Sequence, residues 1–450
     1  MWLGRVFSIA ATLLIAVDGL TIPQSCPGVS PPKYPFELAK DWKAAKVADS
    51  LRSPRGLAID SQGRLLIVEK GTGISQHTVD ADGCITSSRL LVSMSALNHG
   101  IYLGSDGGTL YASSSAAAFR WTYDPKSGNT SGSPITIVSA MDNEDHVTRT
   151  LIIPPDRPDL LVVSRGSNSN LDNATISPQT ARSIVKVFDI MKLPNGGYNY
   201  TKDGWNAGYG LRNEVGLVFD GNNMLWGVEN SADQLTREVN GVSADIHTDN
   251  PAEKLNFLGN VASPNNAWYG YPACFAIWRS DPAIVDSVTG REVGTGQQFV
   301  LAPNNIFNDT SCATLAKPPR LVFEAHVAPL DAKFDVPKYE NMFVTFHGSW
   351  NRNPPVGYKL VAVPFTRVVQ GGYEPVAPAD STTGYFDIFY PPNEGNCSSS
   401  TCARPVGLVF DAAGRLYMTS DTSGELFVLG KNDGMIFEGN GEPQGDIVGQ

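Results

Sequence analysis

The chain has 450 residues, with 45 acidic against 34 basic side chains and a net charge of −11 at pH 7. That balance excludes nucleic-acid binding, which rests on clustered Lys and Arg, and the length calls for either several cores or one large core built from repeats. With 44 Gly and 31 Pro, long helices would be broken repeatedly, and no long 3.6-residue periodicity is visible.

At the N-terminus a short basic start, Met1 to Arg5, precedes the apolar run Val6 to Val17. A membrane span needs about 20 apolar residues, so this run is too short to cross a bilayer. Followed by Asp18, Gly19 and Thr21, it reads as a signal peptide over residues 1–20, with cleavage between Ala16 and Ile22. A secreted, extracellular protein is expected, with no membrane span. Cys26, Cys84, Cys274, Cys312, Cys397 and Cys402 suffice for three disulfides, and the close pair Cys397 and Cys402 would staple one short loop. Sequons at Asn129, Asn173, Asn199, Asn308 and Asn396 sit in loop-like surroundings and predict a glycoprotein. The spacings Cys-x-x-Cys-His, Cys-x-x-Cys and His-Glu-x-x-His are absent, which removes covalent haem and the common zinc sites.

From residue 54 onward one pattern recurs: a turn residue, an apolar strand, an Asp/Gly turn and a second apolar strand. It occurs at 54–71 (PRGLAIDSQGRLLIVEKG), 98–115, 148–167, 213–231, 328–349 and 404–424, the fifth copy being the most degenerate. Each copy is a β-hairpin, and hairpins repeating at intervals that leave room for two more strands predict a propeller. The expectation is an all-β, six-bladed β-propeller of four-stranded antiparallel blades, one domain over 21–450. The long gap between the fourth and fifth copies must hold an insertion around 232–325, and Cys274 and Cys312 could pin it together.

In a propeller, residues entering the innermost strands converge on one mouth of the axis. The chain places Arg55, Asn98 and His99, His146 with Arg149, Arg212 with Asn213, His326 and Arg404 at these entries. An acidic protein has thus concentrated cations and imidazoles at one point. Buried unpaired cations repel one another, so a bound polyanion is expected there.

The segments at 145–170 (DHVTRTLIIPPDRPDLLVVSRGSNSN), 210–230 (GLRNEVGLVFDGNNMLWGVEN), 265–274 (NNAWYGYPAC), 325–330 (AHVAPL), 346–365 (FHGSWNRNPPVGYKLVAVPF) and 404–411 (RPVGLVFD) resemble the PQQ-dependent sugar dehydrogenases. The likeness is nearest to the L-sorbosone and fungal pyranose dehydrogenases and runs from Leu51 to Leu429. It implies oxidation of the anomeric carbon of a pyranose or ketoaldose sugar by hydride transfer to PQQ, with electrons passed to an external acceptor such as a cytochrome or copper enzyme. On this resemblance His146 is the catalytic base and Arg212 the cation beside the quinone carbonyl. Asn213, Asn98, His99, His347, Trp350, Asn351, Arg352 and Arg404 face the cofactor, and Ser231 and Ala232 offer carbonyl oxygens to Ca2+. Asp145 and Ser167 are the candidates to orient His146. Ser231-Ala232 stands where the glucose dehydrogenases often have Gly-Pro. Two other readings stay open on the residues alone: a calcium-dependent lactonase-like hydrolase, which needs side-chain carboxylates around its metal, and a non-enzymatic glycan-binding propeller.

Overall fold

The computed structural model describes residues 20–369 and 371–431, so the expected signal peptide, apart from Leu20, lies outside the described residues. All six repeat hairpins form, and each is the inner half of a blade. Blade 1 runs Pro54–Ile59, Leu65–Glu69, Gly73–Val79 and Ile85–Ser93, and blade 2 runs Leu97–Leu103, Thr109–Ser114, Ala118–Asp124 and Asn129–Ser139. Blade 3 comprises Leu151–Ile152, Leu160–Arg165, Ile184–Asp189 and Trp205–Tyr209; blade 4 comprises Glu214–Phe219, Leu225–Glu229, Glu253–Gly259 and Leu321–Phe323. Blade 5 comprises Pro329–Phe334, Asn341–Phe346, Lys359–Arg367 and Phe386–Tyr390, and blade 6 begins Pro405–Phe410, Leu416–Ser420 and Glu425–Lys431.

Blade 6 takes its fourth strand from elsewhere in the chain. Trp42–Ala48, from the other end of the chain, pairs antiparallel with Glu425–Lys431 and closes the ring. A buried Lys46–Glu425 ion pair and the Cys26–Cys84 disulfide fasten this N-terminal segment to blades 6 and 1. Blade 2 gains a short parallel strand, Tyr198–Asn199, and blade 5 gains Glu37–Leu38 and Tyr373–Pro375, so two blades exceed the four strands expected.

The apolar runs are unbroken because each blade is covered on both faces. In blade 1, Leu65 and Ile67 pack towards blade 6 while Leu66 and Val68 pack towards blade 2, and a comparable apolar cluster fills each of the other blade interfaces. The hairpins turn on aspartates. Asp60 Oδ1 accepts from the Gln62 and Arg64 amides, and Asp220 and Asp411 repeat the arrangement with the amides two and four residues on.

At the axis the inner strands approach so closely that glycine is required. A Cβ on Gly56 would lie 2.5 Å from the His99 carbonyl oxygen, on Gly100 2.3 Å from that of Arg149, and on Gly407 2.4 Å from that of Arg55. The obstacles are backbone atoms that cannot swing away. Gly100→Ala is therefore expected to lower unfolding stability by about 1–3 kcal/mol, read by chemical denaturation; an unchanged midpoint would show that the axis can relax.

The insertion in blade 4 is interleaved with the blade itself. After Leu225–Glu229 the chain makes the hairpin Thr236–Val239/Val242–Asp245, returns as the third strand, then passes through Cys274–Ala276, Gln298–Val300 and the helix Asp309–Leu315 before the fourth strand. The third and fourth strands of the blade thus fall within 232–325. Cys274–Cys312 and a buried Arg237–Asp309 pair hold the excursion together, and Cys397–Cys402 closes its own short loop.

Candidate active site

Antiparallel hairpins bring two sets of residues to one end of the axis: those entering each inner strand and those leaving each second strand. Both sets supply the site. Arg55, entering blade 1, donates to Asp421 Oδ2 (2.7 Å) and to His99 Nδ1 (3.2 Å); Asp421 leaves the second strand of blade 6. Its other oxygen accepts from His347 Nε2 (2.9 Å), and Arg404 Nε donates to the His347 carbonyl (2.8 Å). Asp421 therefore gathers Arg55, His347 and, through backbone, Arg404. Burial disfavours its charge, yet His347 and Arg55 hold it well below the usual carboxylate range. His347 is held down to about 4 because burial outweighs Asp421. His99 is fully enclosed and lines an axial cavity of about 230 Å³ with Asp331 and Lys333, and burial followed by the Arg55 charge keeps it neutral.

A second cluster forms around Asp233, just past the second strand of blade 4. Arg212 donates to Asp233 Oδ2 (3.1 Å), to Asn170 Oδ1 (2.8 Å) and O (3.1 Å), and to the Ser231 carbonyl (2.6 Å). Asn351 Nδ2 donates to Asp233 Oδ1 (2.9 Å), and His326 lies 3.7 Å from the same oxygen. Arg352 bridges Glu324 and Asp249, both at 2.7 Å.

His146 sits on the loop between blades 2 and 3. Its Nδ1 is 3.1 Å from the Ser167 carbonyl and 2.9 Å from Ser167 Oγ, whose own proton goes to the Ser169 carbonyl (2.7 Å). Both neighbours are therefore acceptors towards Nδ1, which fixes the proton there and leaves Nε2 as the basic lone pair. Of the two candidate orienting groups, Ser167 makes the contact; Asp145 is 3.9 Å away and half-exposed. Burial, then the Arg212 charge, hold the His146 pKa down to about 4.

The loop is tightly fixed. Asn143 Nδ2 is within bonding distance of the carbonyls of His146, Gly166 and Ser167, and Asn98 Nδ2 donates to the Val147 carbonyl (2.9 Å). Gly166 is a matter of space: a Cβ there would meet Asn213 Oδ1 at 2.5 Å and His146 Cβ at 2.7 Å. Asn213 Oδ1 and His146 Cβ thus crowd the same glycine.

Two expectations are corrected. Arg149 is not at the mouth; fully buried, it donates to the carbonyls of Met141, His146 and Thr148 and props the loop from behind. Nor are the clustered cations unpaired, because Arg55, Arg212 and Arg352 each meet a carboxylate. Arg404 is the exception: it bonds only the His347 and Gly348 carbonyls and lies over the Tyr358 ring, without a carboxylate among the described residues. Trp350 stands apart at 69% exposed.

An imidazole held neutral with its lone pair free, a fixed guanidinium beside it and polar groups left without partners make a site that binds a polar ligand and takes a proton from it. Asn98 Oδ1, Asn351 Oδ1, Arg55 Nε and Arg352 Nε are buried with no hydrogen-bond partner. Among the described residues no three His, Cys, Asp or Glu side chains are grouped to hold a metal, so a metal here would rest on carbonyls. Ser231 O already accepts from Arg212, and the Ala232 carbonyl accepts no hydrogen bond among the described residues.

Fold and site together define a six-bladed propeller with its chemistry at the axial mouth. The chain belongs to the TrAA12-like family, whose model matches residues 36–432. It is 37% identical over 424 residues to the pyrroloquinoline quinone-dependent sugar dehydrogenase of Hypocrea jecorina, covering 91% of this chain and 92% of that protein. It is 40% identical over 420 residues to the pyrroloquinoline quinone-dependent pyranose dehydrogenase of Coprinopsis cinerea, covering 92% of this chain but spanning only 57% of the length of that relative. The holo form of the Coprinopsis pyranose dehydrogenase PQQ domain superimposes with a TM-score of 0.86 at 40% identity, over 90% of this chain and 99% of that one.

Proposed function

We propose that this chain is a secreted quinoprotein that oxidises pyranose or ketoaldose sugars at the anomeric carbon, with PQQ and Ca2+ at the axial mouth and an external electron acceptor. The observation that carries this reading is the charge state of the mouth. Asp421, Asp233, Glu324 and Asp249 are in direct contact with three of its arginines, leaving Arg404 as the guanidinium that touches no carboxylate among the described residues. PQQ brings three carboxylates, of which Arg404 can take one by a charge-assisted contact, and a divalent cation offsets two further charges, so ligand and metal enter the buried site together at little net charge.

The unpartnered atoms fit such a ligand: Asn98 Oδ1 and Asn351 Oδ1 suit the metal's shell or a protonated ring atom, while Arg55 and Arg352 have donors to spare. The carbonyls of Ser231 and Ala232 are hard oxygens of the kind calcium takes. PQQ, when bound, supplies the two-electron acceptor that no side chain provides. His146 Nε2 accepts the proton of the sugar's anomeric hydroxyl, and the Nδ1 bonds to Ser167 keep that lone pair aimed and free of a proton. Arg212, fixed by Asn170 and Asp233, holds positive charge where negative charge develops. A hydrolase built on calcium would need free carboxylates around the metal, whereas Asp233 and Asp421 are engaged by arginines.

The test is reconstitution: protein supplied with PQQ and calcium should reduce a dye in the presence of an aldose or ketoaldose. Arg404→Ala should weaken PQQ retention about 10- to 100-fold, the loss of a charge-assisted contact, with turnover of the saturated enzyme little changed. Equal PQQ affinity in wild type and variant would remove Arg404 from the site and with it the observation that carries this reading.

A further inference from the structure

Two halves of the mouth must stay in register for the proposed chemistry: the loop that carries and orients His146, and the segment 231–233 with Arg212. The Ser167 amide reaches the Arg212 carbonyl (2.8 Å), and the Asn170 side chain ties the same loop to segment 231–233. Asn170 lies on the same loop as Ser167, three residues on. Its Oδ1 accepts from the Asp233 amide (2.8 Å) and from Arg212 Nη2 (2.8 Å), and its Nδ2 donates to the Asp233 carbonyl (2.8 Å). Its own carbonyl accepts from Arg212 Nε (3.1 Å) and from the Tyr271 hydroxyl (3.0 Å). The side-chain amide thus copies the reciprocal pairing of a β-bridge with Asp233, and together with the backbone carbonyl of Asn170 it holds the guanidinium at two nitrogens. No aspartate could do this, since the contact set needs a donor and an acceptor on one planar group. A glutamine would overshoot by a methylene.

We infer that Asn170 is a positioning residue that sets the distance and angle between the His146 base and the Arg212 cation, by tying the 166–172 loop to segment 231–233. It touches neither the base nor, on this geometry, the reacting atoms. Asn143 fixes the base to its own loop; Asn170 fixes that loop to the opposite half of the site. The inference rests on the function proposed above, but its physical core, the coupling of two loops, is open to measurement without cofactor.

The experiment compares wild type, Asn170→Ala and Asn170→Asp with a control, Asn265→Ala. Asn265 makes side-chain bonds of the same kind, to the Ala207 and Leu258 carbonyls, at the outer edge of blades 3 and 4. In cofactor-free protein, the rate of His146 modification by diethylpyrocarbonate is followed by peptide mass spectrometry. Asn170→Ala should raise that rate several-fold as the loop loosens, and Asn265→Ala should leave it unchanged. In protein loaded with PQQ and calcium, Asn170→Ala should lower kcat roughly 10- to 100-fold, as expected for a buried charged group losing a bond, with the sugar KM held within about threefold. Asn170→Asp, which keeps the acceptor to Arg212 but loses the donor to Asp233, should fall between wild type and alanine in modification rate. If folded Asn170→Ala shows wild-type rates of His146 modification, the coupling is overturned, whatever the cofactor does. If the control loosens His146 equally, the effect is general and the inference again fails. If modification behaves as expected but no variant, wild type included, binds PQQ, the loop coupling stands and the proposed function falls.

Discussion

Replacing His146 by alanine is expected to lower turnover at least about 100-fold while leaving PQQ and calcium bound. A positioned base contributes roughly 10²–10⁴ in rate, and His146 reaches the site through Nε2 alone, Nδ1 being committed to Ser167. No hydrogen bond among the described residues joins its side chain to the Arg404 or Asp233 clusters, so cofactor retention should survive. The pH profile gives a second reading. The neutral imidazole is the active form, and burial with the Arg212 charge holds its pKa down to about 4. Sugar oxidation should therefore stay level through neutrality and fall only as pH drops through about 4, well below the ordinary histidine value of about 6.5. The same shift has a stability sign. An unfolded His146 takes up a proton near 6.5 and the folded one does not until about 4, so its contribution to stability is present above 6.5 and is lost progressively as pH falls through 4. Normal sugar oxidation by the variant would end the assignment of the base.

Arg212→Met should do more damage than the loss of a single contact. The guanidinium is nearly fully buried and serves Asp233, Asn170 and the Ser231 carbonyl at once. Removing it leaves those acceptors without their donor, which costs about 3 kcal/mol of folding stability for a buried pair broken on one side. PQQ affinity and kcat should both fall at least about 100-fold. Arg212→Lys should rescue little, because a single ammonium cannot span the three partners that the planar fork reaches. The acid limb offers a finer check: without the Arg212 charge, His146 protonates more readily, so residual activity should begin to fall at a higher pH than in wild type. A lysine variant with near wild-type kcat and affinity would show that charge alone, not the fork, is what the site uses.

The fold was legible because the repeat is physical. Three inner strands carry a glycine at the axis and an aspartate at the turn, which is why PRGLAID, EVGLVFD and PVGLVFD look alike and why Gly56, Gly216 and Gly407 share one register. Ring closure was not legible, since Trp42–Ala48 belongs to blade 6 while sitting nearly 400 positions away from its partner strand, and no local pattern reports such a pairing. In the site, residues entering the inner strands were visible because they stand beside the repeat. Asp233, Asp421 and Asn170 were overlooked because they leave the second strands, whose exits lie at the same mouth by the antiparallel geometry of a hairpin. The rule that buried cations need partners pointed to a ligand; applied also to the strand exits, it would have found the carboxylates. Arg149 misled for a related reason: it occupies the same sequence position as Arg55, yet its loop carries carbonyls close enough to absorb the whole guanidinium.

The measurement that tests the central claim most directly is an equilibrium titration of metal-stripped protein with PQQ, with and without calcium. The account predicts saturable one-to-one binding that tightens at least about 100-fold when calcium is added, since the metal offsets ligand carboxylates that Arg404 alone cannot. PQQ binding equally well in the presence of a chelator, or none at any calcium concentration, would contradict it.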